Sequence, residues 1–326
     1  MTESSIEFVP AAAEDYDEVM SFSGGIYNGT DYLPFRYHAW LKDHRRHMFL
    51  AKSEGKIVAF ESFVLVDDGE TAVAKALRVA PWMRGRGIAG LIQKFCLDVL
   101  RSDHQSVKRV RLTRTENPPP NLLKKYKVVH SKAIVSVAIP SDQLEETMKL
   151  FEVRVGNTGV LTSYTVLEPS EVLKLFGGTK TARELLPGGL LVQGWLPLTT
   201  QRSNLEMLFE RRIFWIYSQG HSTNVPLSSP TTDLAGFLSL GTPPYPIPYA
   251  DGTYRFDIDM FGIDPMCAKT HVLQQLKLCM QNLPAGAGLI CIMYAEESLR
   301  NELSHLCEGL TPFSLAKDQM VLEMEI

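Results

Sequence analysis

The sequence predicts an α/β protein: a mixed, mostly antiparallel central sheet flanked by helices, followed by a second, related α/β unit. Three observations carry this. Short β-patterned runs alternate with helical runs along the whole chain. The 326 residues exceed the usual size of one domain, so two are expected. The first half reads β-α-α-β-β-β-α-β-α-β, and the second half repeats part of that order as β-β-β-α-β-α-β.

Each element has a local reason. Ile6 to Val9 is a short apolar strand. Glu14 to Phe22 is helical until Gly24-Gly25 interrupts it. Pro34 opens a second helix to Lys42, since proline is tolerated where the first-turn N–H has no acceptor. Met48 to Lys52 and Ile57 to Val66 form a hairpin about Ser53-Glu54-Gly55. Asp67-Asp68-Gly69 is the next turn, and Thr71 to Val79 the next strand. Ile88 to Leu100 is a long helix and Val107 to Thr113 a strand. Asn117-Pro118-Pro119-Pro120-Asn121 breaks the chain before a short helix from Leu122 to Lys127, and Val128 to Ile139 ends the first half. In the second half, Arg212–Ser218, Leu234–Leu240, Tyr254–Phe261, Leu289–Tyr294 and Met320–Ile326 read as strands. Cys267–Leu283 and Glu297–Leu306 read as helices. The expected units are residues 1–141 and 161–326, joined by a linker at 142–160.

The chemistry concentrates where the strand ending Leu77-Arg78-Val79-Ala80-Pro81 turns through Trp82-Met83-Arg84-Gly85-Arg86-Gly87 into Ile88-Ala89-Gly90. A strand, a glycine turn and a helix N-terminus form a cradle for a diphosphate. The first-turn N–H groups lack intrahelical acceptors, and the helix dipole favours an anion there. Gly85 and Gly87 let the backbone approach such a ligand, and Arg84 and Arg86 add charge. A dinucleotide fold wants Gly-x-Gly-x-x-Gly near the N-terminus and an acid about 20 residues on; neither is present. The Gly-Lys-Ser/Thr of a P-loop is also absent.

This segment, with Val79-x-Pro81 leading into Arg84-x-x-Gly87-x-Ala89, resembles the acyl-CoA-binding motif of the GNAT acetyltransferases. The element order of residues 4–140 matches that fold. The second half carries Gly262-Ile263-Asp264-Pro265 at the corresponding place, where Asp264 would repel a diphosphate. A GNAT-like unit without the CoA motif is expected there, with an ordinary α/β capping domain as the alternative.

The GNAT resemblance implies acetyl-CoA as donor. It implies pantetheine contacts from the backbone of Leu77 and Val79, and a diphosphate on the amides of Gly85, Arg86, Gly87, Ile88 and Ala89. By the same match, Tyr126 is the candidate proton donor to the departing thiolate, with Asn117 before it and Lys125 beside it near the CoA phosphates. Glu61 lies inside an apolar strand and must find a partner or hold its proton. It is the candidate base, or else one half of an ion pair with Lys75. Counting alternate residues back from Val79 puts Leu77, Lys75 and Val73 on one strand face. A cation at Lys75 points to an acceptor bearing a carboxylate. Tyr32, Phe35 and Tyr37, among other aromatics of the preceding helix and loop, suit a flat acceptor or helix packing.

Over most of its length the chain is similar to the vertebrate histidine N-acetyltransferase family. That resemblance, and not the motif, implies transfer from acetyl-CoA to the α-amino group of L-histidine. Another amino acid, a protein N-terminus, or a non-catalytic acyl-CoA-binding role stay open alternatives. Composition fits an ordinary soluble globular protein: 45% hydrophobic and 21% charged residues, with a net charge of −4 that disfavours general nucleic-acid binding. The first residues are acidic and polar, no apolar run is long enough to span a membrane, and the five cysteines show no metal-ligand spacing. A cytoplasmic protein with no metal and no membrane or nucleic-acid partner is expected.

Overall fold

The computed structural model describes residues 5–115, 118–156, 163–177, 180–186, 188–219 and 236–326. The first half contributes β1 (Ile6–Pro10), α1 (Tyr16–Ser21), α2 (Leu33–Leu41), β2 (Arg46–Ser53), β3 (Lys56–Val66), β4 (Thr71–Val79), α3 (Ile88–Asp103), β5 (Arg109–Thr115), α4 (Pro120–Leu123) and β6 (Lys127–Ile139). Helix α5 (Leu144–Gly156) occupies most of the segment expected as a linker, and it buries Leu144 and Phe151 against the second half. Next come β7 (Thr165–Val166), α6 (Pro169–Phe176), α7 (Lys180–Leu185), the hairpin β8 (Leu191–Gln193) and β9 (Leu196–Leu198), and α8 (Arg202–Glu210). The chain finishes with β10 (Phe214–Ser218), β11 (Phe237–Gly241), β12 (Tyr245–Pro246), β13 (Thr253–Phe261), α9 (Pro265–Met280), β14 (Gly288–Ala295), α10 (Arg300–Leu306), β15 (Thr311–Pro312) and β16 (Asp318–Glu325).

The expected short helix before β6 lies earlier than its sequence pattern indicates. Proline is favoured in a first helical turn, so the helix begins at Pro120, and Lys124 to Tyr126 leave it as a turn.

The two halves share one sheet, in the order β1-β2-β3-β4-β5-β16-β6-β14-β13-β11-β10-β7. Among the described residues only β4/β5 and β13/β14 pair in parallel. In each case the next strand comes from the other half. The C-terminal strand β16 lies antiparallel to β5, and β6 of the first half lies antiparallel to β14. β6 spans the junction: Lys127–Ala133 pair with β16, and Ala133–Ile139 pair with β14. The exchange leaves no strand edge exposed between the halves.

Helix α3 lays Ile88, Ile92, Cys96 and Leu100 on one face of the first half, against Ala59, Phe63 and Ala72. Helices α1 and α2 cover the other face, where Val19, Leu33, Tyr37 and Trp40 meet Leu50 and Phe60. A further core joins the halves directly: Val64, Val66 and Val73 pack with Val172, Leu205 and Leu208.

A buried polar knot ties this junction. Asp67, at positive φ in the β3–β4 turn, accepts from Arg111 Nη1 at 2.7 Å on one carboxylate oxygen. Its other oxygen accepts from the Thr199 amide and hydroxyl and from Asn204 Nδ2, at 2.7–3.0 Å. Arg111 Nε also donates to Glu323 of β16 at 2.6 Å. Burial alone would raise the Asp67 pKa, but Arg111 and the Thr199 donors outweigh it and hold the carboxyl below its ordinary value.

Removing Asp67 leaves Arg111, itself 2% exposed, without its buried partner. Breaking such a pair costs about 3 kcal/mol or more, so Asp67→Ala should lower the melting temperature by about 4 °C or more, measured by differential scanning fluorimetry.

Candidate active site

The site begins where β4 leaves β5. Strand β5 pairs with β16 along its whole length, but with β4 only from Thr71–Ala74 opposite Arg109–Leu112. Beyond Ala74 the two parallel strands diverge. On the other edge of β4 the register with β3 jumps between Phe60↔Arg78 and Ser62↔Lys75, so Ala76 and Leu77 face one residue, Glu61. This is a β-bulge, and Ala76 adopts φ 62° within it, a conformation costly for a residue with a Cβ. Arg78 clamps it. The guanidinium donates to the Ala76 carbonyl at 3.0 Å and to Asp31 Oδ1, in an ion pair whose side chains are 2% and 3% exposed. The opening left between β4 and β5 is a slot of about 320 Å³ bordered by Glu61, Lys75, Leu77, Gln93, Thr113 and Trp195.

Beneath the slot lies the cradle. Gly85 and Gly87 have φ 76° and 77°, Gly87 caps α3, and a Cβ on either would meet nothing within 4 Å. The turn is therefore open at the helix N-terminus, as a diphosphate requires. Arg84 and Arg86 are exposed, and Arg84 Nε donates to the Val79 carbonyl at 3.1 Å. A groove of about 650 Å³ runs from the slot along α3, past Gly90, Lys94, Lys125 and Tyr126. Were an acyl-CoA bound, Gly85–Ala89 would hold its diphosphate, the backbone at Leu77 its pantetheine and the slot its thioester. Asn117 lies outside the described residues.

Glu61 and Tyr126 both face the groove. Glu61 points toward α3, where Cys96 and Gln93 are its side-chain partners, and its Oε2 is buried without a partner. Burial raises its carboxyl to about 8 against the modest effect of those two partners. Burial, and then the nearby Glu61, push the Tyr126 phenol to about 12, so it keeps its proton at neutral pH.

A second cavity, of about 430 Å³, meets the slot at Tyr32, Lys75 and Trp195 and lies on the α2 side of the sheet. It is strongly basic. Arg46 stacks 3.7 Å over Trp40, donates to Ser62 Oγ at 3.3 Å and leaves Nε without a partner. Among the described residues, Arg36, Arg46, Lys75 and Arg211 form no ion pair. Burial lowers all four, Arg46 to about 9 and Arg211 to about 10, with neighbouring cations adding to it at Arg46, Lys75 and Arg211. The acids of this cavity are engaged elsewhere: Asp43 and Glu210 bind Arg45, and Asp257 binds Arg255.

The bulge corrects two readings from strand alternation. It inserts a residue, so Lys75 shares a face with Ser62, Phe60 and Arg78 and not with Val79. Glu61 faces α3, on the opposite side of the sheet, and no Glu61–Lys75 ion pair forms. Of the three aromatics singled out, Tyr32 lines both cavities. Tyr37 is fully buried in the core with its hydroxyl on the Ala12 carbonyl, and Phe35 is half-exposed and stacks on Tyr245. Trp195, Arg211 and Arg255 belong to the second half, and no sequence motif marks them.

Among the described residues the second half shows no comparable strand divergence. β13 and β14 stay paired over seven positions, from Thr253↔Gly288 to Asp259↔Tyr294. Asp264 Oδ1 accepts from the amides of Met266 and Cys267, both at 2.8 Å, so the N-terminus of α9 is capped by its own chain. A Cβ at Gly262 would stand 2.6 Å from Phe237, so this turn is closely packed where the first is open.

Two family models match the chain in different places. Residues 11–121 match the acetyltransferase (GNAT) family, and residues 161–296 match the family described as histidine N-acetyltransferase, C-terminal. The chain is 35% identical to probable N-acetyltransferase 16 of Homo sapiens, over 98% of its own length and 86% of that protein. It is 30% identical to the histidine N-acetyltransferase of Oreochromis niloticus, over 100% and 95% of the two chains. Among solved structures it shares the fold of a tandem GNAT protein from the clavulanic acid biosynthesis pathway, with 14% identity, a TM-score of 0.57 and 98% of each chain covered. A putative acetyltransferase from Pyrococcus horikoshii superposes with a TM-score of 0.56 at 12% identity, over 100% of this chain and 91% of that one.

Two outcomes check this geometry. Gly87→Glu should abolish acetyl-CoA binding in calorimetry while the circular dichroism spectrum is kept, and the unaltered protein should bind one acetyl-CoA per chain. Glu61 is raised from its ordinary value to about 8, so the stability it confers is complete at low pH and is lost as pH rises through 8. Glu61→Gln should therefore melt like wild type at pH 5 and above it at pH 9.

Proposed function

This chain belongs to the histidine N-acetyltransferase family of GNAT enzymes, and we propose that it transfers the acetyl group of acetyl-CoA to the α-amino group of free L-histidine, giving N-acetyl-L-histidine and CoA. It is an acetyltransferase by family. The observation that supports a free amino acid as acceptor is the basic cavity that meets the thioester slot at Lys75.

Three cations, Arg36, Arg46 and Arg211, with no carboxylate partner among the described residues make a site for an anion. A protein lysine or a polyamine would be repelled there. An amino acid brings its carboxylate within a few ångströms of the amine that must react. In this reading Arg46 and Arg211 receive the carboxylate, and the amine points to the slot. Tyr32, Trp40, Trp195 and Tyr245 provide flat walls suited to an imidazole.

Donor chemistry falls to the first half. The cradle holds the diphosphate, backbone beside Leu77 and Val79 holds the pantetheine, and the diverging strands place the thioester in the slot. Tyr126, whose phenol stays protonated at neutral pH, protonates the departing thiolate. The five cysteines are free and buried, which accords with a reducing, cytoplasmic setting.

A panel of free amino acids, their amides and short peptides, each tested for acetyl-CoA turnover, decides the acceptor. Histidine should lead, and histidinamide, which lacks the carboxylate, should be a poor substrate. A charge-assisted contact in a closed site is worth about 1.5–3 kcal/mol, so Arg211→Met should raise KM for histidine roughly ten- to a hundredfold at similar kcat. Equal turnover of histidine and histidinamide would remove the carboxylate from the argument.

A further inference from the structure

An α-amine reaches this site as an ammonium and cannot attack a thioester until it has lost a proton. The group that takes the proton must stand where the acceptor cavity opens into the slot. Among the described residues only Tyr32, Lys75 and Trp195 border both spaces. Trp195 donates its Nε1–H to Tyr294 Oη at 3.0 Å and has no basic atom. Burial drives the Tyr32 phenol far above its ordinary value, so no phenolate is available there. Glu61 borders the slot but not the acceptor cavity, and its carboxyl is directed to Cys96 and Gln93 on the α3 side. We propose that Lys75 accepts the proton that the acceptor's ammonium must lose before it attacks the thioester.

The surroundings of Lys75 are arranged for this. Its Nζ lies 5.3 Å from the centre of the Tyr32 ring and makes no ion pair among the described residues. The bulge at Ala76 turns it onto the acceptor side. Burial lowers its pKa most, and then the positive charges of Arg46, Arg211, Arg36 and Arg255 lower it further, from β2, the end of α8, α2 and β13. The acids around the same cavity, Asp43, Glu210 and Asp257, are held by Arg45 and Arg255. The amine of Lys75 therefore holds a proton less tightly than an ordinary lysine before substrate binds. A carboxylate arriving on Arg46 and Arg211 then cancels part of the positive field and raises the proton affinity of Lys75, so the substrate readies its own base.

The step balances. The acceptor N–H bond breaks, the proton joins Nζ, and the freed amine forms the N–C bond as the C–S bond breaks. The second amine proton leaves the adduct to solvent, and Tyr126 regains from solvent the proton that it gives to the thiolate. Lys75 later releases its proton to solvent. Net, one ammonium and one thioester give an amide, a thiol and one proton.

This assignment rests on a free amino acid as acceptor, and the experiment separates the two. Wild-type turnover of histidine answers for the acceptor. The ratio of variant to wild type, on whichever free amino acid the wild type acetylates, answers for Lys75. Lys75→Met and Lys75→Arg are assayed as full chains from pH 6 to 10, with acetyl-CoA affinity measured by calorimetry to confirm an intact fold. Both variants should lose about 10²–10⁴-fold in kcat with KM for the amino acid within about threefold, because arginine keeps the charge but cannot accept the proton. Their deficit should shrink as pH rises past the pKa of the substrate amine, which then arrives uncharged. A Lys75→Met enzyme with normal kcat and raised KM, or recovery by Lys75→Arg at neutral pH, would overturn the proposal and make Lys75 a carboxylate anchor.

Discussion

The bulge at Ala76, with its left-handed backbone clamped by Arg78 and Asp31, sets the rest of the site. A regular β4 would keep pairing with β5 past Ala74, and the slot would close. The added residue ends that pairing and leaves backbone at Leu77 unpaired where a pantetheine would run. It also turns Lys75 toward the acceptor side while Glu61 stays on the donor side. The conformation costs of order 1–3 kcal/mol, and a buried ion pair that also holds the Ala76 carbonyl over-determines it. One local irregularity thus sets the groove and the basic cavity on opposite sides of one strand, both meeting the slot.

The second half lacks a cradle and a diverging strand pair, yet it builds much of the acceptor cavity. The β8–β9 hairpin brings Trp195 over β5, where the Trp195 carbonyl accepts from Thr113 Oγ1 at 3.0 Å. Arg211 arrives from the end of α8, and Arg255 from β13 reaches the Thr30 carbonyl at 3.1 Å. These contacts need the halves held in register. The strand exchange of β6 and β16, and the Asp67 knot between β4, β5 and α8, supply that constraint. A cradle closed by Asp264 and a fully paired β13/β14 mark the second unit as one that contributes shape and charge instead of donor binding.

The cations of the acceptor cavity have a stability cost. Charges desolvated without partners weaken the folded state, and burial accordingly depresses the proton affinity of Arg46 and Arg211 to about 9 and 10. Under the proposed function a bound carboxylate would relieve this cost, so affinity and specificity would come from the same uncompensated field. An amine without an acid group would leave the guanidinium groups buried and unpaired.

Local patterns made much of the first half legible. The span Thr71–Val79, the glycine turn and the amphipathic α3 depend on neighbours a few residues away, and their signals are present in the sequence. The cradle at Arg84–Ala89 follows from the same motif, whereas Tyr126 is a candidate only through the family resemblance, and its place in the groove is a structural observation. Alternation misplaced Lys75 because parity assumes no inserted residue, and the insertion at Ala76 is held by Asp31, far away in the chain. Tyr37 read as an acceptor contact because an aromatic on a helix looks the same whether it lines a cavity or fills a core. The partners of β6 and β16 were invisible for a related reason: a strand's pattern records which face is buried, not which chain segment lies beside it. Sequence alone thus determined the donor motif, which one strand, one turn and one helix can make. Tertiary structure alone decided the basic cavity, because Lys75, Arg46, Trp195 and Arg211 become neighbours only when two halves share a sheet.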